Sequence, residues 1–176
     1  MTIGQSLSHE QGAKAFLGLG SNIGDRLGNL REAVVLLGTR AEVGVLRSSR
    51  VYETRPVGPP QPDFLNAVIE VESPLGAPEL LDVCLGVETE MGRIRRERWG
   101  PRNIDIDVLT YGSDTVKLDG LEIPHPRMHE RAFVLAPLLE LDPDPVLPGG
   151  RRAATLRLPP EQILGVRLVA PPLNVT

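Results

Sequence analysis

The order of hydrophobic patterns along the chain is the feature that most constrains its fold. Apolar residues recur every three or four positions in segments 27–37 and 81–91, which is typical of helices. Short apolar or alternating runs, which are typical of strands, occur in four segments: 15–20, 43–52, 64–72 and 104–109. The order β-α-β-β-α-β predicts an α+β, ferredoxin-like sandwich with both helices on one face of an antiparallel sheet. We expect the other face to be open for ligands.

The rest of the chain is expected to extend the same domain. Residues 115–123 fit a short hairpin with Asp119 and Gly120 at its turn, and residues 131–141 have helical periodicity despite Pro137. Residues 146–176, rich in proline and arginine, are expected to form a loosely packed tail. Because 176 residues suit one domain and no linker or repeat divides them, we expect a single domain with its core at about 13–145.

Composition narrows the possible partners. The formal net charge is −4 with a sequence pI near 5.4, and aromatic residues make up 3% of the chain, which argues against a nucleic-acid partner. No apolar run approaches the ~20 residues of a membrane span, and the first 14 residues lack the features of an export signal. The single cysteine, Cys84, lies in an apolar helical pattern and is expected in the core, so no disulfide forms within the chain. We expect a cytoplasmic, monomeric protein.

Two carboxylates in the last strand of this order suggest a metal site. Strand side chains alternate, so Asp105 and Asp107 point to one face while Ile104, Ile106 and Val108 point into the core. The two carboxylates are then roughly 7 Å apart, and Mg²⁺ takes one or two such ligands plus water and phosphate oxygens. A solvated strand face is the alternative interpretation of this pair.

An arginine cluster directly precedes these carboxylates. Its members surround Trp99 and are Arg93, Arg95, Arg96, Arg98 and Arg102. Guanidinium groups bind phosphates through paired donors, and a metal beside such a cluster is what phosphoryl transfer from a nucleotide requires. Alone, an arginine run is more typical of a solvated surface or a nucleic-acid patch. In an acidic chain it favours a nucleotide site.

The glycines around the end of the first strand are a weaker indication of a phosphate site than the arginine cluster. Gly18, Gly20 and Gly24 follow a strand and precede a helix, where phosphate-binding turns occur. Their spacing differs from a dinucleotide fingerprint, and no Walker lysine is present, so a structural turn is favoured. His125 lies between two prolines and remains open as a ligand contact.

Four sequence blocks resemble a known family in order and spacing: FLGLGSNIGDRLGNL, YETRPVGPPQPDFLNAV, GRIRRERWGPRNIDIDVL and IPHPRMHERAFVLAPLLEL. They resemble the 6-hydroxymethyl-7,8-dihydropterin pyrophosphokinases of folate biosynthesis, over about residues 15–144. The resemblance implies a ferredoxin-like enzyme that uses two Mg²⁺ ions. It would transfer pyrophosphate from ATP to the pterin hydroxymethyl group and release AMP.

The resemblance also implies roles for individual residues. Asp105 and Asp107 match the metal-binding aspartates, and Arg93 and Arg102 match arginines credited with catalysis. Nucleotide contacts are implied for Glu88, Arg95, Trp99, Arg102, His125 and Arg131. The pterin pocket is implied for Thr54, Val57, Phe64, Asn66, Asp105 and Phe133. The loop at 92–101 is expected to be a lid that excludes water.

The chemistry of the side chains agrees with these implied roles. Pterin is a flat heterocycle with an amide-like edge, so Phe64 and Phe133 suit its faces and Asn66 suits its edge.

Two other classes of protein remain open. A glycosyltransferase using Asp105 and Asp107 would bind a sugar nucleotide, but 176 residues are few for it. An RNA-binding module of ferredoxin-like order would need aromatic residues on the central strands.

Overall fold

The computed structural model describes residues 12–93 and 100–175. Its helices are α1 (Arg26–Gly38), α2 (Ala77–Glu90), α3 (Ala132–Leu141) and α4 (Pro160–Leu164). Its strands are β1 (Ala13–Ser21), β2 (Gly44–Ser48), β3 (Val51–Thr54), β4 (Phe64–Ser73), β5 (Asp105–Tyr111), β6 (Val116–Leu118), β7 (Leu121–Ile123) and β8 (Val166–Ala170).

The main sheet has the predicted ferredoxin-like arrangement. Its strand order is β5-β1-β4-β3-β8, and β2 also pairs with β4. The strand predicted at 43–52 is therefore divided into β2 and β3, which lie one after the other along β4. At the break, the Ser49 backbone N–H donates to the Val68 carbonyl at 2.8 Å, and Val68 N–H donates to Ser49 Oγ at 2.9 Å. These bonds satisfy backbone groups where the regular ladder is interrupted.

Helices α1 and α2 cover one face of the sheet, as predicted. Asp25 caps α1 by accepting a hydrogen bond from the Gly28 N–H at 3.0 Å, and Pro78 occupies the first turn of α2. The core between helices and sheet contains the apolar side chains that alternate inward from the strands and recur along the helices, among them Leu17, Leu30, Leu80, Cys84 and Ile106. Cys84 is buried as predicted, and burial raises the pKa of its thiol to about 12.

The opposite face of the sheet is only partly open, which corrects the expectation of a free face. Val68 of β4 and Leu109 of β5 pack with Met128, Leu135 and Leu138, which belong to α3 and the turn before it. This second apolar cluster covers the middle of the face. The ends of β1, β4 and β5 remain uncovered beside α3, and the candidate site lies there.

The C-terminal elements confirm one prediction and contradict another. The hairpin at 115–123 forms as β6 and β7, with Gly120 in the turn at φ 76°. The loosely packed tail is wrong for β8, because this strand pairs with β3 and Leu173 after it is buried. The single-domain boundaries stay a prediction. In the part of the chain that the structure describes, no helix is long and apolar enough to cross a bilayer.

Candidate active site

Three neighbouring strands bring the candidate residues together in one cavity. In the sheet register, Gly20 of β1 lies opposite Asn66 of β4 on one side and opposite Asp105 of β5 on the other. Gly18 lies opposite Asp107. The cavity is lined by these strand residues together with others from β3, β4, β5, the 55–63 loop, α3 and the residues just before β5 and α3: Thr54, Arg55, Val57, Gln61, Phe64, Arg102, Leu109, Arg131, Phe133 and Val134.

Gly18 and Gly20 form the floor of the cavity. Both lie within β1, so the prediction of a structural turn is wrong for them and holds only for Gly24, whose φ is 70°. A Cβ on Gly20 would lie 3.0 Å from Asn66 Oδ1 and 3.6 Å from Phe64 Cδ1. The missing side chain therefore lets the amide of Asn66 lie directly over β1.

The residues predicted for the pterin pocket all line this cavity. Asn66 Nδ2 donates to Thr54 Oγ1 at 2.6 Å, and both side chains are buried. This bond fixes the plane of the amide, with Phe64 two residues earlier on the same face of β4. Phe133 lies across the cavity on α3, with the Arg131 guanidinium carbon 5.5 Å from its ring centroid. The wall therefore combines two aromatic rings with one oriented amide.

The paired carboxylates differ in their surroundings. Asp105 is held by two arginines, with Arg93 Nη1 3.0 Å from Oδ1 and Arg102 Nη1 2.8 Å from Oδ2. Asp107 lies deeper and opens to the cavity. Burial, followed by the negative charges of Asp105 and Glu88, raises the pKa of Asp107 to about 7.

The pair is suited to a divalent cation. Within residues 12–93 and 100–175 no group of three or more His, Cys, Asp or Glu side chains could enclose a metal ion. A two-carboxylate site of this kind fits Mg²⁺, which fills its other positions with water and phosphate oxygens. The raised pKa of Asp107 is consistent with this, because a cation beside it would relieve the uncompensated negative charge.

Glu88 lies behind this wall and does not line the cavity. Its side chain is 3% exposed and accepts hydrogen bonds from the Ile106 backbone N–H at 2.7 Å and from Arg93 Nη1 at 2.5 Å. Burial raises the pKa of this carboxyl. Glu88 thus ties α2 to β5 and orients Arg93 towards Asp105. The nucleotide contact implied for Glu88 stays a prediction.

Only some of the other residues predicted for nucleotide binding line the cavity. Arg131 lines the cavity, whereas His125 does not. Burial and then the charge of Arg131 lower the pKa of His125, so its imidazole is neutral near pH 7. Its Nδ1 accepts a hydrogen bond from the Arg127 N–H at 3.3 Å. Arg95 and Trp99, together with most of the predicted lid, lie outside the described residues.

Several cavity residues carried no clear signal in the sequence. The predicted site residues did not include Leu109 of β5, nor Arg55 and Gln61 from the same proline-rich loop as Val57. Because side chains alternate along a strand, Leu109 is expected on the same face of β5 as Asp105 and Asp107. The positions of Arg55 and Gln61 depend on how the loop folds back, which local periodicity does not encode.

Comparisons with known proteins agree with this architecture. A family model described as 7,8-dihydro-6-hydroxymethylpterin-pyrophosphokinase (HPPK) matches residues 16–143. The chain is similar to a 2-amino-4-hydroxy-6-hydroxymethyldihydropteridine pyrophosphokinase of Bacillus subtilis strain 168, with 48% identity over 72% of this chain and 77% of that protein. Proteins of the same name are similar in Synechocystis (42% identity, 92% of this chain, 83% of that one) and Methylorubrum extorquens (45% identity, 85% and 96%).

Solved structures support the fold. An HPPK-DHPS crystal structure in complex with substrates matches with a TM-score of 0.61 and 14% identity, over 76% of this chain and 40% of that one. A Plasmodium falciparum HPPK-DHPS structure matches with a TM-score of 0.60 and 16% identity, over 80% and 44%. The chain thus spans about two fifths of the length of these structures, and at this identity the likeness concerns the fold alone.

Proposed function

The chain belongs to the 7,8-dihydro-6-hydroxymethylpterin-pyrophosphokinase family, and we propose that its cavity transfers pyrophosphate from ATP to the hydroxymethyl group of 6-hydroxymethyl-7,8-dihydropterin. One observation carries the assignment to this cavity. A wall with two aromatic rings and an oriented amide faces two carboxylates and two arginines across a glycine floor. This combination suits a flat heterocycle on one side and a polyphosphate on the other.

The heterocycle is assigned to the side formed by Thr54, Phe64, Asn66 and Phe133. The rings of the two phenylalanines offer faces for stacking, and the Asn66 amide offers a donor and an acceptor to the pterin edge. Val57, from the 55–63 loop, also lines the cavity. Because Asn66 is already held by Thr54, little orientational freedom is lost when the substrate binds.

The triphosphate is assigned to the side formed by Asp105, Asp107 and the arginines. In the reaction, the pterin hydroxymethyl oxygen bonds to the β-phosphorus while the bond from this phosphorus to the oxygen bridging to the α-phosphorus breaks. AMP leaves, and the hydroxyl proton is released to solvent. Such transfer depends on alignment and charge compensation rather than on a protein nucleophile. Arg102 and Arg131 line the cavity, and Arg93 reaches Asp105 from behind. We assign these guanidinium groups to the charge on the phosphates and on the departing AMP.

Asp105 and Asp107 would hold Mg²⁺, and we propose two ions per nucleotide. When bound, Mg²⁺ neutralises phosphate charge and orients the triphosphate. In the described structure both oxygens of Asp105 are engaged by arginines. Loading would therefore exchange these contacts and leave Arg93 and Arg102 available to phosphate oxygens. A cytoplasmic location and a monomeric state remain predictions from the sequence.

Identifying the nucleotide product tests the proposal directly. The protein is incubated with ATP, Mg²⁺ and 6-hydroxymethyl-7,8-dihydropterin, and the nucleotides and pterins are separated by chromatography. We expect AMP and a diphosphorylated pterin in equal amounts. Formation of ADP, or no pterin-dependent turnover, would overturn the proposal. A sugar-nucleotide substrate would favour the glycosyltransferase alternative, and RNA retained in a filter-binding assay would favour the RNA-binding one.

A further inference from the structure

A hydrogen-bond junction at Asn22 joins two segments that meet at the cavity. Asn22 follows β1 and is 2% exposed. Its Nδ2 donates to Gln61 Oε1 and to the Pro62 carbonyl, both at 3.0 Å. Its Oδ1 accepts from the Arg102 backbone N–H at 2.8 Å, and its own backbone N–H donates to the Arg102 carbonyl at 3.0 Å. One buried side chain thus bonds to two segments that lie 40 and 80 residues further along the chain.

Both segments carry cavity residues. The 55–63 loop contributes Arg55, Val57 and Gln61 to the side assigned to pterin. Arg102 contributes its guanidinium group to the phosphate side, where it pairs with Asp105 at 2.8 Å. The amide of Asn22 can donate two hydrogen bonds, and both are used on the loop, while its oxygen is used on Arg102. A buried amide with both ends engaged in this way is strongly oriented.

We propose that Asn22 is a positioning residue that fixes the pterin-side loop to Arg102 and so sets the alignment of the two substrates. The proposal rests on the proposed function. Asn22 itself does not line the cavity, so it acts through Gln61 and Arg102. Group transfer is sensitive to such alignment, because a displacement of about 1 Å at the reacting atoms can cost ~10²-fold in rate.

Two substitutions separate the two halves of the junction. Asn22→Asp keeps an acceptor for the Arg102 N–H but loses both donors and places a carboxylate against two acceptor oxygens. We expect it to raise the KM for pterin about tenfold and to change kcat less than about threefold. Asn22→Ala loses both halves, and we expect about tenfold lower kcat in addition to the higher KM, because Arg102 loses its side-chain anchor.

Asn29→Ala is the matched control. Asn29 of α1 donates to Ser21 Oγ at 3.2 Å and to the Ile23 carbonyl at 2.9 Å, so its two side-chain bonds join α1 to the end of β1 and the turn after it and reach neither segment. We expect it to lower the Tm about as much as Asn22→Ala while kcat and both KM values stay within about twofold. If both alanine variants changed the kinetics equally, or if neither Asn22 variant changed them, the positioning role would be refuted.

Hydrogen exchange followed by mass spectrometry gives a measurement that does not depend on turnover. In the protein without ligands, Asn22→Asp should increase amide exchange in peptides covering 55–63, and Asn22→Ala should also increase it at 100–104. Asn29→Ala should leave both unchanged. Unaltered exchange in the two Asn22 variants would overturn the proposed role of Asn22. If the variants show these changes but the wild-type protein forms no AMP, the proposed function alone would be overturned.

Discussion

The bond between Thr54 and Asn66 gives the sharpest test of pterin recognition. Thr54 is 3% exposed, and its Oγ1 accepts the Asn66 amide at 2.6 Å. Thr54→Val replaces the hydroxyl by a methyl group of similar volume, so the packing of β3 against β4 is retained while the amide loses its partner. In the free protein, cavity water can solvate the amide. Bound pterin would exclude that water, so the cost falls on the complex.

The magnitude follows from this difference. Leaving a buried donor unpaired costs about 1–3 kcal/mol, which corresponds to about ten- to hundredfold weaker pterin affinity. Calorimetric titration of pterin in the presence of a non-hydrolysable ATP analogue and Mg²⁺ measures this affinity, and titration of the analogue alone measures nucleotide affinity. We expect nucleotide affinity to stay within about twofold, because Thr54 is on β3 and is separated in the sheet by β4 and β1 from β5, which carries Asp105 and Asp107.

Thr54→Ser is the control for this substitution. Serine keeps the hydroxyl that accepts from Asn66 and loses only a methyl group, so we expect pterin affinity to fall less than about threefold. If Val and Ser weakened pterin binding equally, the loss could not be assigned to the hydrogen bond, because Ser keeps the hydroxyl that accepts from Asn66. A Val variant with unchanged pterin affinity would refute the assignment of the oriented amide to pterin recognition.

Three further substitutions test other parts of the cavity. Asp107→Asn should lower turnover by at least ~10²-fold in saturating Mg²⁺. The pKa of Asp107 is raised in the folded state to about 7, so its ionisation destabilises the ligand-free protein as pH rises from about 4 to 7. Thermal unfolding should therefore show Asp107→Asn to be more stable than wild type by up to about 4 kcal/mol at pH 8 and equally stable near pH 4. Asn66→Ala should weaken pterin binding about ten- to hundredfold in calorimetry and leave nucleotide binding unchanged, whereas equal weakening would indicate a role in folding only. Gly20→Ala should raise the pterin KM about tenfold, because its Cβ would push against Asn66 Oδ1. Gly18→Ala is the control, since its Cβ would lie 3.5 Å from Leu109, and it should change the KM less than threefold. Equal effects would mean that the added methyl volume at the cavity floor, and not the contact with Asn66, changes the KM.

Local periodicity was sufficient for most of the fold. The positions of α1, α2, β1, β4 and β5 follow from spacings within single segments, which is the information that a sequence carries most directly. The break between β2 and β3 could not be predicted, because it depends on Ser49 bonding to Val68, nineteen residues away. The edge strand β8 was missed because five residues followed by two prolines carry little periodic signal, and their pairing with β3 is set by tertiary contacts.

The candidate site was predictable to the extent that it follows alternation. Asp105 and Asp107 share a face because they are two residues apart, and the buried Ile106 between them marks the opposite face. The role of Glu88 was not predictable from its segment, since its partners Arg93 and Ile106 are known only once α2 packs against β5. Asn22 resembled any turn asparagine for the same reason.

The charges around the cavity also account for a positive cluster in an acidic protein. Three carboxylates, Asp105, Asp107 and Glu88, are placed among four guanidinium groups, those of Arg55, Arg93, Arg102 and Arg131, so the opposite charges of the ligand-free site nearly balance. A triphosphate alone would leave this balance strongly negative, and in a partly buried site such an excess is costly. Each Mg²⁺ entering with the nucleotide offsets two of the added charges, so the loaded site returns towards neutrality. Arg93 and Arg102 are already paired with Glu88 and Asp105, so much of their charge is compensated before any polyanion binds.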